Sequence, residues 1–375
     1  MIAGRSAVAA AAAAGALTVS LVPALPAAAT TPATTTTTPA LTVVATNLNN
    51  PRGLTFAPDG TLYIAEAGTG GPGPCLDGAE GLVCFGTTGS ITRVRLGQQQ
   101  RVRAGLPSLA GHDGSQAIGP ADVAVDGFGL LSFTVGLAAD PDVRVTTKKL
   151  TGMAKLYASG RSGPRLIADL GAYEKKANPD KAAADTNPAG LTVVGGTRYV
   201  VDAGANTLLK ASARGKVSTV AVFGKRTVPA PAGNPDLPEG TPLPMQSVPT
   251  SVVKGPDGAF YVSELTGFPF PAGGARIYRV VPGHAPVVYA TGLTNVIDLA
   301  FGPKGSLYAL EIARNGLLSG DRTGALIQVD PQGEHRVVAS EGLTAPGGIA
   351  IRGKDAYVTN CGVCAGAGSV VKIRL

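Results

Sequence analysis

The chain is 375 residues long, with 52 Gly, 29 Pro, no Trp and a formal net charge of +7. Its basic residues are scattered singly, with Lys148-Lys149 and Lys175-Lys176 the obvious adjacent pairs, so the clustered, aromatic-interleaved stripe of a nucleic-acid binder is missing. So much glycine with so few charges and almost no helical periodicity argues against a helical protein and for short strands joined by tight turns.

Residues 1-29 read as a secretory signal: Arg5, an apolar stretch from Ala7 to Val22, and Ala27-Ala28-Ala29 as the cleavage site. A membrane anchor fits less well, because Gly15, Pro23 and Pro26 interrupt a segment that would need about 20 strongly apolar residues. No Cys stands at the cleavage site to carry a lipid, and no later stretch is long enough to span a bilayer. Residues 30-40 form a Thr/Pro-rich linker whose composition favours disordered, extended chain, and residues 41-375 form the folded domain. The expected product is a secreted monomer, or a periplasmic one in a cell with an outer membrane. It meets an unidentified small molecule or extracellular partner and no nucleic acid.

Six copies of one pattern follow, each a strand, a polar turn and an apolar strand ending in a polar residue. The first runs from Pro51-Arg52-Gly53-Leu54 to Glu66 and the second from Pro120-Ala121-Asp122-Val123 to Val135. The third joins Pro188-Ala189-Gly190-Leu191 to Asp202, and the fourth joins Pro249-Thr250-Ser251-Val252 to Glu264. The fifth joins Val296-Ile297-Asp298-Leu299 to Glu311, and the sixth joins Pro346-Gly347-Gly348-Ile349 to Asn360. Repeats of this length and content predict an all-β fold, a six-bladed β-propeller of four-stranded antiparallel blades.

In the fifth copy the remaining strands are Ala325 to Val329 and Arg336 to Ser340; in the fourth they are Ala275 to Val281 and Pro286 to Thr291. The sixth copy stops after a third strand, Ser369 to Leu375. Its missing outer strand is supplied by Leu41 to Asn47, which matches the fourth-strand sequence Val287-Val288-Tyr289-Ala290-Thr291, so the N-terminal strand completes the last blade.

Two insertions stand out, Ala138 to Met153 and the proline-rich Lys225 to Gln246. The prolines of the second, Pro229, Pro231, Pro235, Pro238, Pro242 and Pro244, predict extended chain too stiff for strand or helix. Tyr173 to Thr186 holds one expected helical turn. Four cysteines in an exported chain predict two disulfides, Cys75-Cys84 and Cys361-Cys364, in preference to cross-links between the two loops. A lone Cys361-Gly362-Val363-Cys364 has neither a second ligand pair nor a helix start to make it a zinc or redox site.

In a propeller the starts of strand one and the ends of strand two meet at one mouth of the central tunnel. That gathers Glu66, Asp202, Glu264, Glu311 and Asn360 with Asp122 and Asp298. Such oxygen donors suit Ca²⁺, with Glu66, Asp202, Glu264 and Glu311 as its candidate ligands. The structural alternative is that these side chains accept hydrogen bonds from backbone N–H groups in the adjoining turns, near Gly68, Gly204 and Gly267. His112, in Gly111-His112-Asp113-Gly114-Ser115, is the one histidine placed to act as a general base at that mouth, and otherwise is an ordinary loop residue. Gly-x-Ser-x-Gly and helix-preceding phosphate loops are absent.

Several stretches that are not generic repeat, taken together, resemble the ScyD/ScyE family. These are Asn50-Pro51-Arg52-Gly53-Leu54 through Cys84-Phe85-Gly86, Glu264-Leu265-Thr266-Gly267-Phe268-Pro269-Phe270-Pro271, Glu311-Ile312-Ala313-Arg314-Asn315-Gly316 through Asp321, and Asn360-Cys361-Gly362-Val363-Cys364. The likeness covers essentially all of Leu41 to Leu375. The family is named for exported proteins encoded beside the genes for an indolic sunscreen pigment, and the resemblance implies an exported propeller with no established catalytic residues to transfer. Phe268, Phe270, Arg314 and Asn315 follow strand-two ends and are read as a ligand-contacting rim beside Glu264 and Glu311, the equal alternative being that Phe268-Pro269-Phe270-Pro271 packs its loop onto the neighbouring one. The expected function is ligand binding or scaffolding at one tunnel face. The alternative is a calcium-dependent lactonase or esterase of the gluconolactonase/paraoxonase kind, in which bound Ca²⁺ polarises a carbonyl and His112 or a carboxylate activates water.

Overall fold

Near-continuous apolar runs such as Leu62–Glu66, Leu131–Val135, Phe260–Glu264 and Leu307–Glu311 cannot leave either face in water, and each is buried on both sides. In the computed structural model, which describes residues 40–78, 81–160, 163–233 and 237–375, these runs are the second strands of six blades arranged in a ring. The signal segment and all but the last residue of the linker lie outside the described residues. Among the described residues no helix is long and apolar enough to cross a membrane.

From the tunnel outwards, blade one contains Pro51–Phe56, Leu62–Glu66, Gly81–Arg95 and Gln98–Ala110. Blade two contains Pro120–Val125, Leu131–Val135, Lys155–Gly160 and Gly163–Asp169, and blade three Pro188–Val194, Thr197–Asp202, Thr207–Ala211 and Val217–Val222. Blade four contains Pro249–Lys254, Phe260–Glu264, Ala275–Val280 and Val287–Leu293, and blade five Val296–Phe301, Leu307–Glu311, Ala325–Val329 and Arg336–Ala339. Blade six takes Gly348–Arg352, Asp355–Asn360 and Gly368–Arg374, and its outer strand is Thr42–Leu48, paired antiparallel to Gly368–Arg374. The ring therefore closes through the N-terminal strand, as the repeat pattern predicts.

The core lies between blades rather than inside one. Leu54, Ile64, Ala45, Leu48 and Val370 pack together from blades one and six, while Leu310, Leu326, Ile349, Val358 and Ile373 join blades five and six. Fourth strands bury little. Thr42–Leu48 and Val287–Leu293 show the same alternation of exposure position by position, with Ala45 and Ala290, and Leu48 and Leu293, turned inwards.

The proline-rich insertion departs from its expectation. Arg226–Pro229 and Pro242–Met245 pair as a two-stranded ribbon, with Pro229 opposite Pro242. Each strand of a ribbon has one unpaired side, and Pro242 and Pro244, two residues apart, share a side that needs no N–H. Pro235 lies outside the described residues. The insertion in blade two holds two short helical turns, Val143–Thr146 and Lys148–Gly152. The helix expected near Tyr173 begins earlier, at Leu170–Ala177, because Asp169 accepts the Ala172 N–H at 2.8 Å and caps its start.

Candidate functional site

In blades one to five the first residue of strand one pairs with the last of strand two: Pro51 with Glu66, Pro120 with Val135, Pro188 with Asp202, Pro249 with Glu264, Val296 with Glu311. The acidic strand-two ends therefore do sit around one mouth, but their oxygens are taken. Glu66 accepts the Asn49 N–H at 2.8 Å, Asp202 that of Asn187 at 2.6 Å, Glu311 that of Thr294 at 2.7 Å and Asn360 that of Thr344 at 2.7 Å. Each of these N–H groups stands one to four residues before a strand-one start, outside the strand ladder, so the side chain replaces the missing acceptor. Glu264 is held differently, by the Arg226 guanidinium at 2.6 Å. Among the described residues no three His, Cys, Asp or Glu side chains gather as a metal cage. Glu66, Asp202, Glu264 and Glu311 are thus clasps set one per blade and not one converging ligand set.

The clasps differ in charge. Burial alone would push Glu66 up, but hydrogen bonds from Arg101, Thr92 and Asn49 outweigh it and hold its carboxyl below the usual value. Glu311 has no such guanidinium contact, and burial pushes it up to about 7 despite the Thr294 N–H and the charge of Arg314. Asp202 is likewise raised by burial, to about 6.

The tunnel itself is shaped by the third residue of each repeat: Gly53, Asp122, Gly190, Ser251, Asp298 and Gly348. Asp122 accepts from Val123 and, across the blade boundary, from Leu191, both at 2.7 Å. Asp298 accepts from Ser251 Oγ at 2.5 Å and from the N–H groups of Leu299 and Ile349, both at 2.8 Å. The two aspartates stand three blades apart and line both the cavity at one tunnel end and the smaller one at the other, so they form the constriction between them. Burial raises Asp122 well above an ordinary aspartate, the Asp298 charge adding to it, and burial raises Asp298 to about 6.

Above that constriction is a cavity of about 540 Å³. Apolar side chains of Leu76, Val83, Ile118, Leu137, Leu265 and Ile297 supply much of its wall. Leu76 and Val83 come from a hairpin in which Cys75–Gly78 pairs with the start of Gly81–Arg95, stapled by the Cys75–Cys84 disulfide. The second disulfide, Cys361–Cys364, belongs to blade six and its residues do not line the cavity. On the cavity floor stands Arg52, which donates from Nη2 to the Ala117 carbonyl at 2.8 Å. It has no carboxylate partner among the described residues, and burial lowers it to about 10, so it remains a cation at neutral pH.

Asp122 and Asp298 thus reach the cavity, while the rim expected from the non-repeat loops does not line it. Phe268 is half-exposed, stacking edge-on with Phe270, and Phe270 O lies near Gly316 of the neighbouring loop. Arg314 donates to Ser340 Oγ and Asn315 to Asp321, so the polar atoms of that rim are engaged locally. His112 is exposed in a Gly111–Ser115 turn and is not part of the cavity wall. Sequence reasoning missed Arg52, although a signal for it existed. Among the second residues of the repeats, Arg52, Ala121, Ala189, Thr250, Ile297 and Gly347, it alone is charged.

No family model matches the chain, and no curated protein matches it. Solved structures share its fold. A gluconolactonase from Xanthomonas campestris is 10% identical over 89% of each chain, with a TM-score of 0.51. A protein of unknown function from Bacteroides thetaiotaomicron is 10% identical over 89% of this chain and 75% of that one, with a TM-score of 0.54. Virginiamycin B lyase from Staphylococcus aureus is 13% identical over 90% of this chain and all of that one, with a TM-score of 0.49. The first two, with TM-scores above 0.5, share the fold, and identities this low establish no shared activity.

Proposed function

We propose that this protein is an exported propeller that binds a small organic anion in the tunnel-face cavity, the anionic group on Arg52 and the apolar body between Leu76, Val83, Ile118 and Ile297. The observation that carries this reading is the part-buried Arg52 guanidinium, which has no carboxylate ion pair among the described residues and lines a cavity of about 540 Å³ with many apolar side chains in its wall. A partly desolvated cation without a counter-ion gains most from a ligand that supplies the charge. Of the four aspartates in the wall, Asp77, Asp122, Asp185 and Asp298, burial raises Asp122 and Asp298 so that these two add little competing charge below pH 6. Export is supported by the signal-like first 29 residues, by the two disulfides and by the resemblance to the ScyD/ScyE family.

The test is calorimetric titration with a panel of aromatic and aliphatic carboxylates, each paired with its methyl ester, on the wild type and Arg52→Met. Binding of carboxylates but not esters is expected, with at least a tenfold loss in the variant, since a hydrogen bond to a charged group contributes about 1.5–3 kcal/mol. Esters binding as tightly as acids, or an unaffected Arg52→Met, would overturn the assignment.

A further inference from the structure

In the segment that leads into blade three, three side-chain oxygen atoms are buried with no donor. Glu174 is 2% exposed and its Oε1 is sealed from solvent without a hydrogen bond. The Oδ1 atoms of Asn178 and Asp185 are buried in the same condition. The orientation of Asn178 follows from its amide, because Nδ2 donates to the Ala182 carbonyl at 2.9 Å and leaves the oxygen on the other side.

These residues belong to one local segment. The helix Leu170–Ala177 turns Leu170, Gly171 and Glu174 inwards and ends at Asn178 in a left-handed conformation, after which the chain loops through Asp180 and Asp185 to blade three. The Glu174 carboxyl is raised to about 7, first by burial and then by the charges of Asp202, Asp180 and Asp185, so the four carboxylates share one neighbourhood. Asp180 is already occupied, accepting from Ala182 N and Asn206 Nδ2, and Asp202 accepts from Thr186, Asn187 and Ala205. No described cation compensates: Lys175 and Lys176 are exposed, and Lys175 pairs with Asp142.

We propose that Glu174, Asn178 and Asp185 are side-chain ligands of an oxygen-seeking divalent cation, Ca²⁺ foremost. A proton on one carboxylate turns that oxygen into a donor and meets one further acceptor, leaving the third unmet, and one water has two hydrogens to offer, whereas a cation satisfies all three at once. Ca²⁺ takes six to eight oxygens, amides and waters among them, so a shell with two carboxylates agrees with the absence of a three-carboxylate cage. Asp180 and Asp202 supply negative charge without ligating. The site differs from the strand-two clasps and adjoins the tunnel-face cavity, whose wall includes Asp185.

The experiment compares thermal melts and calorimetric titrations of metal-stripped wild type, Glu174→Gln and Asp185→Asn at pH 7.5, with Ca²⁺ and separately with Mg²⁺. Wild type is expected to bind one Ca²⁺ and to melt higher with it, and each variant to lose at least tenfold in affinity. Without metal the order should reverse, Glu174→Gln melting above wild type because a buried, donor-less carboxylate is gone. Two results overturn the proposal: a wild type unchanged by millimolar Ca²⁺ and Mg²⁺, or variants that respond as wild type does. Binding of Mg²⁺ in preference to Ca²⁺ upholds the cation site and overturns its assignment to Ca²⁺.

Discussion

Asp122 and Leu191 sit in adjacent blades, and the Asp122 Oδ2 accepts the Leu191 N–H at 2.7 Å. Three blades away Asp298 makes the same bond to Ile349. Both tie strand-one starts together where the tunnel is narrowest. The Asp122 carboxyl lies where Gly53 has no side chain: a Cβ there would stand 1.9 Å from Oδ1. Gly53→Ala is therefore expected to cost about 1–3 kcal/mol through overpacking. In an Asp122→Ala background most of that cost should vanish, because the clash is with this carboxyl. A urea double-mutant cycle measures the coupling, and additive effects would refute it.

Stability should fall between mildly acidic and mildly basic pH. Asp202 and Asp298 titrate near 6 and Glu311 near 7 in the folded protein, all raised chiefly by burial, against about 4 in an unfolded chain. Folded protein then binds protons more tightly than unfolded, so the contribution is complete below about pH 4 and is lost as pH rises through 6 to 7. Below pH 4, carboxyls held low, such as Glu66, act in the opposite sense. Melting temperatures are expected to peak near pH 5 and decline to pH 8, and Asp202→Asn should flatten the decline. A rise over that interval would contradict the assignment.

Glu66 and Glu311 occupy the same place in their repeats and should respond oppositely to amidation. Glu66 is an ion paired with Arg101 at 2.8 Å, and Glu66→Gln leaves that guanidinium with a neutral partner. Arg101 is 42% exposed and regains some hydration, so a loss of about 1–3 kcal/mol is expected at pH 8. Glu311→Gln keeps an acceptor for Thr294 and removes a charge that burial disfavours, so it should be neutral or stabilising. Denaturant titration of both variants at one pH decides it.

The architecture was legible because burying strand two on both faces requires an apolar run ending in a polar clasp, and that requirement recurs in every blade but the second. Ring closure was legible for a similar reason, since Ala45 and Leu48 repeat the inward positions of Ala290 and Leu293. Where the clasps point was not. Whether Glu66 faces a cation or a backbone N–H depends on Asn49 and Arg101, and the latter arrives from a strand 35 residues away. The donor-less Glu174 was hidden likewise: a Glu in a helix looks solvated until the helix face it occupies is known.

The hairpin over the cavity gives the two disulfides distinct roles. Cys75–Cys84 spans nine residues of separation and fixes Leu76 and Val83 at the cavity wall. Replacing both with Ser should remove about 2–3 kcal/mol of loop constraint and weaken the carboxylate ligand found by titration. Cys361–Cys364 closes a loop of three residues' separation away from the cavity wall. The matching double Ser variant should alter stability and leave ligand affinity within twofold. Equal effects of both pairs on affinity would remove the hairpin from the site.

Leu48 provides the test of closure. It is fully buried on the strand Thr42–Leu48 and packs with Leu54, Ile64 and Val370 between blades six and one, whereas Val43 on the same strand is 58% exposed. Leu48→Ala is expected to cost about 2–5 kcal/mol and Val43→Ala within about 0.5 kcal/mol. Leu293 occupies the equivalent place in blade four, where its strand is joined to the same sheet by a short turn. The outer strand of blade six has no such turn, being tied to Gly368–Arg374 by hydrogen bonds and packing alone. Hydrogen exchange should therefore separate the two leucines. Leu293→Ala should loosen blade four locally, while Leu48→Ala should release Thr42–Leu48 and expose amides of Gly368–Arg374 on one timescale. Protection of Gly368–Arg374 unchanged in Leu48→Ala would show that the ring is held by something other than this strand.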